Sequence, residues 1–185
     1  MGKSGDKLID RALQIALRAH AGQLRKAGDI PYVEHPVMVA LKLAKYGFGS
    51  EVIAAALVHD VLEDTDFPES DLRMQLGDEV LAIVLAVTED KTLPWEERMR
   101  GYIEQVRLGS VEAKAVSLAD KIHNTESLIR AHHDIGADVW KLFSRGKARR
   151  VRFNEEMLAM LTDTWQHPIL AEYAALIEQL RALAE

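Results

Sequence analysis

The sequence predicts a single all-α domain, on three observations. Apolar residues recur at helical spacing along nearly all of its 185 residues. Hydrophobic residues make up 48%, mostly Ala, Leu, Val and Ile, since aromatics are only 6%, and 5 prolines leave long stretches free to be helical. No segment shows the clean apolar–polar alternation of a half-buried strand. A chain of this length and apolar content can bury a sizeable core in one unit. The expected organisation is one domain over 1–185, with a motif-bearing core at about 6–131 and C-terminal helices within about 136–183.

Each element has its own signal. Residues 6–21 place Leu8, Leu13, Ile15 and Leu17 on a helical pattern that Gly22 stops. Residues 22–34, "GQLRKAGDIPYVE", read as a loop punctuated by Pro31, in which Tyr32 either packs the loop against the core or faces a ligand. A helix then starts near His35-Pro36, where proline's missing N–H costs nothing, and runs to Gly47. Ser50 is expected to cap the next helix, through about Glu63, with Glu51 in its first turn. A short helix covers Glu69 to Leu76, and Gly77 breaks it. Asp78 is expected to cap a further helix to about Thr88 or Glu89; its "VLAIVLAV" run could be a buried strand by periodicity alone, but its flanks and Ala content favour helix. After the loop "EDKTLP", helices are expected over about 95–108, 111–131, 136–162 and 168–183. The cluster Lys147 to Arg152 reads as a solvated helix face, and His132-His133 as a positive helix end.

Bulk properties exclude several classes of function. With no cysteine there are no disulfides or thiolate ligands, which suits a reducing cytosol, so a cytoplasmic location is expected. The polar start "MGKSGDKLID" does not resemble a signal peptide, and no apolar run is long enough to span a bilayer. A formal net charge of −6 argues against nucleic acid as a partner, while leaving room for a small phosphorylated ligand on a local basic patch. The oligomeric state stays open, with a homodimer as the candidate assembly.

The chemistry gathers around "ALVHDVLEDTD" at 56–66, where acidic residues and a histidine follow directly on an apolar run. Residues four apart share a helix face, so His59 lies above Glu63 and Asp60 above Asp64. Burying several carboxylates together is costly unless a cation pairs with them. Further candidate ligands are His35, on the first turn of an earlier helix, and Asp120 in "SLADKIHN". Two imidazoles and two carboxylates without sulfur suit Mn²⁺, Fe²⁺ or a similar divalent ion. Such an ion lowers the pKa of a bound water and polarises a phosphoryl oxygen. Glu63 and Asp64, one turn on, are placed to orient or deprotonate an attacking water.

These residues resemble a known family. "H…HD…D" is the signature of HD-domain metal-dependent phosphohydrolases. "AHAGQLRKAGDIPYVEHPVMVALKLA", "AAALVHDVLEDTD", "LGDEVLAIVLAVTEDKTLPWEER" and "SLADKIHN" are similar, in that order, to the hydrolase domain of Rel/SpoT-type alarmone enzymes, and "VTEDKTLPWEERMR" to the stand-alone small alarmone hydrolases. The resemblance covers about residues 10–130. It implies removal of the 3′-pyrophosphate of guanosine tetra- or pentaphosphate, giving GDP or GTP and pyrophosphate, with Mn²⁺ as the metal. It implies His35, His59, Asp60 and Asp120 as metal ligands, Glu63 and Asp64 as the catalytic acidic pair, and Arg25, Lys26 and Asn124 as nucleotide contacts.

Physical chemistry is consistent with those roles: Arg25 can lie flat on a purine and Lys26 can meet phosphate as a point charge. Lys91 and Arg98 are further phosphate candidates, and His20 and His123 candidate supports of the site. The chain departs from the family in reading "HNTESL" where many long members read "HNMRTL", which sets Glu126, a reversed charge, near the expected nucleotide site. Two rival functions remain at this level. One is a phosphohydrolase on the same scaffold acting on an adenosine alarmone, NADPH or a nucleoside monophosphate; the other is a non-catalytic nucleotide sensor, disfavoured because every ligand and both acidic positions are present.

Overall fold

A computed structural model describes residues 3–25, 29–142 and 146–185. The described residues form α1 (Lys3–Ala19), α2 (Glu34–Lys45), α3 (Ser50–Val58), α4 (Val61–Asp64), α5 (Glu69–Leu76), α6 (Asp78–Leu85), α7 (Trp95–Leu108), α8 (Val111–Ile135), a 3₁₀ helix (Gly136–Leu142), α9 (Gly146–Thr164) and α10 (Ile169–Ala182). Extended pairing among them is limited to an isolated bridge between Leu24 and Pro31. The predicted all-α class is the observed one.

The organising element is α3. Every residue from Val52 to Val58 is buried. A helix that is apolar all round must be enclosed, and α3 is packed by α1, α2, α6 and α8. Its small residues Ala54, Ala55 and Ala56, each fully buried, let the neighbouring helices approach closely. The long α8 runs alongside, meeting α2 and α3 on one side and α10 on another. From α1, Ala12, Ile15 and Ala16 enter the core, whereas Leu17 of the predicted apolar pattern is half exposed.

Several expected boundaries are corrected. Ser50 is the first helical residue; the cap position belongs to Gly49 in extended conformation, and the Ser50 hydroxyl bonds Glu51 instead. Asp78 is likewise inside α6, preceded by Gly77 at φ 89°, a backbone region that glycine enters without steric cost. That helix stops at Leu85, short of Thr88. The helix expected over 111–131 continues to Ile135, where Gly136 at φ 62° ends it. The single helix expected over 136–162 is instead a 3₁₀ turn followed by α9. The basic cluster is only partly a solvated face: Lys147 donates to the Leu183 carbonyl at 2.6 Å, and Arg150 is half-buried at the edge of the central cavity.

The largest departure is the most useful one. The helix expected over 50–63 breaks after Val58 and resumes at Val61. Asp60 sits at φ −92°, ψ −7°, and its carbonyl accepts from the N–H groups of both Glu63 (3.2 Å) and Asp64 (2.8 Å). The tightened turn falls on the His59-Asp60 pair and directs it into the middle of the molecule.

Candidate active site

Three separate elements bring the predicted ligands together. His35 comes from the first turn of α2, His59 and Asp60 from the α3–α4 turn, and Asp120 from the middle of α8. His35, His59 and Asp120 are buried, and one donor atom from each lies within 4.8 Å of the others. The Nε2 atoms of His35 and His59 stand 3.0 and 3.7 Å from the same Asp120 Oδ1. Asp60 joins the group from the side, Oδ1 at 3.3 Å from His59 Nε2 and Oδ2 at 3.5 Å from His35 Nε2.

The hydrogen bonds behind this cluster set its chemistry. His59 Nδ1 lies 2.7 Å from the Ala56 carbonyl, which can only accept, so Nδ1 carries a hydrogen and Nε2 is the atom that faces the cluster. That Nε2 is buried and makes no hydrogen bond. His35 Nδ1 is 2.7 Å from His123 Nδ1. Burial, with His35 and Arg25 nearby, lowers the His123 pKa to about 3, so this ring is neutral and can accept from His35. Burial opposes charge on His59, but Asp60 and Asp120 outweigh it and raise its pKa to about 9. Burial alone would raise both carboxylic acids; the imidazoles hold Asp60 down, and Lys121, 2.9 Å from Asp120 Oδ2, holds Asp120 well below the usual range. An orphaned imidazole nitrogen, a second imidazole facing the same point and two ionised carboxylates fit a divalent cation, with further ligand positions left to solvent or substrate.

The two acidic residues beyond this cluster are held apart. Glu63 Oε2 accepts from the Glu89 N–H at 3.0 Å, and its Oε1 lies 3.2 Å from Lys91. Its burial raises its pKa above the usual carboxylate value. Asp64 is bound on one side by Lys91 and on the other by the Tyr32 hydroxyl, at 2.8 Å. The same hydroxyl reaches Asp60 Oδ2 at 2.6 Å. Tyr32, for which the sequence leaves packing and a ligand-facing role both open, therefore contacts two groups of the site.

His35, His59, Asp60, Asp120, Glu63, Asp64 and Tyr32 line one cavity of about 1170 Å³, as do Arg25, Lys91, Arg98 and Asn124. Arg25 donates to Asn124 Oδ1 at 3.1 Å and has its guanidinium carbon 5.6 Å from the Tyr32 ring centre. Asn124 in turn donates to Asp120 Oδ1 at 2.5 Å. Arg98 is paired with Glu89 at 3.2 Å. Lys26 lies outside the described residues. His20 stacks on Tyr32 with ring centres 4.7 Å apart, while His132 and His133, in the last turn of α8, do not line the cavity.

Glu126 is a correction. It does not line the cavity but pairs with Lys42 of α2 at 2.9 Å, on the far side of α8. Two residues along a helix is about 200° of rotation, so a neighbour of Asn124 at that spacing must face away. Sequence reasoning also missed Lys121 and Glu89. Lys121 sits over the Tyr102 ring at 4.4 Å, a contact between α7 and α8 that no local spacing announces.

Among known proteins, a family model described as HD domain matches residues 12–150. The human guanosine-3′,5′-bis(diphosphate) 3′-pyrophosphohydrolase MESH1 is 39% identical over 133 residues, spanning 70% of this chain and 74% of that protein. The guanosine-3′,5′-bis(diphosphate) 3′-pyrophosphohydrolase of Aquifex aeolicus is 36% identical over 123 residues, 65% of this chain and 18% of that one. The 1.85 Å crystal structure of lmo0812 from Listeria monocytogenes EGD-e superposes with a TM-score of 0.73 at 40% identity, covering 78% of this chain and 96% of that one. A metazoan ortholog of SpoT, described as hydrolysing ppGpp and acting in starvation responses, matches with a TM-score of 0.79 at 30% identity, covering 96% and 97%.

Proposed function

The chain belongs to the HD-domain family and is homologous to MESH1 and to the SpoT-type hydrolases, and from that premise we propose that it removes the 3′-pyrophosphate of guanosine tetra- or pentaphosphate, yielding GDP or GTP and pyrophosphate. The observation that carries this reading is the cluster of two imidazoles and two carboxylates from α2, the α3–α4 turn and α8, opening onto one cavity with Glu63, Asp64 and Arg25. A nucleotide sensor has no need of buried ligand atoms beside a separate acidic pair.

In this reading His35, His59, Asp60 and Asp120 hold one divalent ion, Mn²⁺ by preference for a mixed nitrogen and oxygen set. The bound ion supplies charge neutralisation at the phosphoryl oxygens and a water of lowered pKa. Glu63 would be the group that orients an attacking water and accepts its proton; burial, which raises its pKa, suits it to the task. Asp64 keeps Lys91 in place at the cavity wall. Arg25 and Asn124, already joined, receive the nucleoside, with Lys26 from the same loop. Lys91 and Arg98 offset the charge of the pyrophosphate, which requires each to exchange part of its present carboxylate pairing for phosphate. The unit that performs this is the whole of 1–185, a cytoplasmic domain acting alone or as a homodimer. No helix of the described residues is long and apolar enough to cross a membrane.

The test is hydrolysis under metal control. Protein stripped of metal and reloaded with Mn²⁺ meets guanosine tetraphosphate, its adenosine counterpart and NADPH in parallel, with products separated by chromatography. Release of pyrophosphate from the guanosine compound, absent without metal, is the expected outcome. Turnover of only one of the other two would keep the metal site and sink the substrate assignment.

A further inference from the structure

We propose that Tyr32 is a positioning residue, whose single hydroxyl sets the metal-ligand carboxylate Asp60 and the acidic residue Asp64 in register with one another. The inference deepens the reading above and rests on it.

The geometry is specific. The hydroxyl lies 2.6 Å from Asp60 Oδ2 and 2.8 Å from Asp64 Oδ2, one donor shared by two acceptors a helical turn apart. By holding Oδ2, it leaves Asp60 Oδ1 directed at His59 Nε2, 3.3 Å away, where the cation is to sit. By holding one oxygen of Asp64, it leaves the other to Lys91. The phenol itself has little freedom. Its ring is stacked on His20 at an interplanar angle of 29°, and its backbone N–H donates to the Gln23 carbonyl at 2.9 Å. Its carbonyl accepts from the His35 N–H at 3.0 Å, so the residue that steers Asp60 also adjoins the start of the helix carrying His35. Gln23 closes the frame, taking a contact from His20 Nδ1 at 2.8 Å and donating to the Asp64 carbonyl at 3.2 Å. A residue needed only to pack the loop would place its ring here but has no use for a hydroxyl between two carboxylates.

Without that hydroxyl, Asp60 and Asp64 face each other with no donor between them, and mutual repulsion turns both away from their working orientations. The experiment compares Tyr32→Phe, which keeps the ring and deletes the oxygen, with Tyr32→Leu, which removes both. Mn²⁺ affinity is measured by calorimetry in the absence of substrate, and kcat, KM and the melting temperature follow. For Tyr32→Phe we expect Mn²⁺ binding weakened by about 10-fold and kcat lowered by about 10- to 100-fold, the range typical of partners that orient metal ligands. KM should stay within about 2-fold, and the fold should melt close to wild type. If Tyr32→Phe binds Mn²⁺ and turns over like wild type while only Tyr32→Leu is impaired, the ring merely packs the loop and the proposal is overturned. The calorimetric comparison stands even if wild type leaves guanosine tetraphosphate intact, so failure of the substrate reading and failure of this one are told apart.

Discussion

Replacing Glu126 with Gln should change stability and leave catalysis alone. Glu126 sits beside Lys42, whose Nζ lies 2.9 Å from it and 2.5 Å from Glu172 of α10, while Tyr46 donates to the other Glu172 oxygen at 2.8 Å. The Lys42 side chain is 13% exposed and that of Glu126 is 29%, so the pair is neither fully screened nor fully desolvated. Losing it while Lys42 keeps Glu172 should cost about 0.5–1 kcal/mol. For a domain of this size that is about 1–4 °C in melting temperature. Lys42→Met is the harsher change, because it leaves Glu126 and Glu172 near each other without their cation. A cost of about 2 kcal/mol, or 4–8 °C, is expected for it. Thermal melts of both variants, with kcat and KM for guanosine tetraphosphate, test the reasoning. If Glu126→Gln altered kcat/KM by more than about 3-fold at an unchanged melting temperature, this carboxylate would be acting on substrate, and its placement on the far side of α8 would be refuted.

Four further outcomes are expected. Asp120→Asn should abolish measurable Mn²⁺ binding and lower kcat by roughly 1000-fold, read by calorimetry and initial rates, since the ion supplies several kcal/mol of charge stabilisation; a variant that still binds Mn²⁺ with wild-type affinity would remove Asp120 from the ligand set. Glu63→Gln should lower kcat by about 100- to 10,000-fold with Mn²⁺ affinity retained, as loss of a general base requires; an unchanged kcat would overturn that role. Arg25→Ala should raise KM by about 10-fold, because one cationic contact near the nucleoside is worth about 1–2 kcal/mol, with kcat little changed. The last concerns pH. Burial would raise the Glu172 pKa, but hydrogen bonds from Lys42 and Tyr46 hold it below its ordinary value. A depressed carboxylate stabilises the fold above its unfolded pKa and loses that contribution as pH falls through the folded one. The gap in melting temperature between wild type and Glu172→Gln should therefore be widest at neutral pH and close as the pH drops below the ordinary carboxylate range; a gap that widens in acid would contradict the pairing.

How much of this was legible depends on what kind of signal each feature leaves. The residues of the cluster, proposed as metal ligands, announced themselves because His59, Asp60 and Asp120 interrupt apolar runs, where an unpaired polar group is costly. The helix class followed from Ala and Leu content and from spacing. Caps were misread because Ser and Asp are favoured capping types, yet at Ser50 and Asp78 the preceding glycine takes the non-helical position and the polar residue falls inside the helix. The break at His59-Asp60 left no trace, since apolar periodicity runs straight through it. Tyr32 acts across long sequence separations, which no window of neighbours reports, and Lys121, though next to Asp120 in the chain, gives no sign in its own neighbourhood that it is held over the Tyr102 ring. Glu126 is the instructive error: the motif suggested proximity to the nucleotide, whereas the helical repeat alone would have turned it away.

The junction at the end of α3 has a wider consequence. His59 and Asp60 are held by the last turn of a helix enclosed on every side, and the Ala56 carbonyl orients the His59 ring. Any side chain that displaces α3 within its packing displaces His59 and Asp60, two of the proposed metal ligands, with it. Ala54, Ala55 and Ala56 have no room to grow without such a shift. A mutational screen for lost turnover would thus return positions in the plainest stretch of the chain, out of reach of any ligand. Efforts to retune the enzyme have a handle there, in methyl groups buried behind the chemistry.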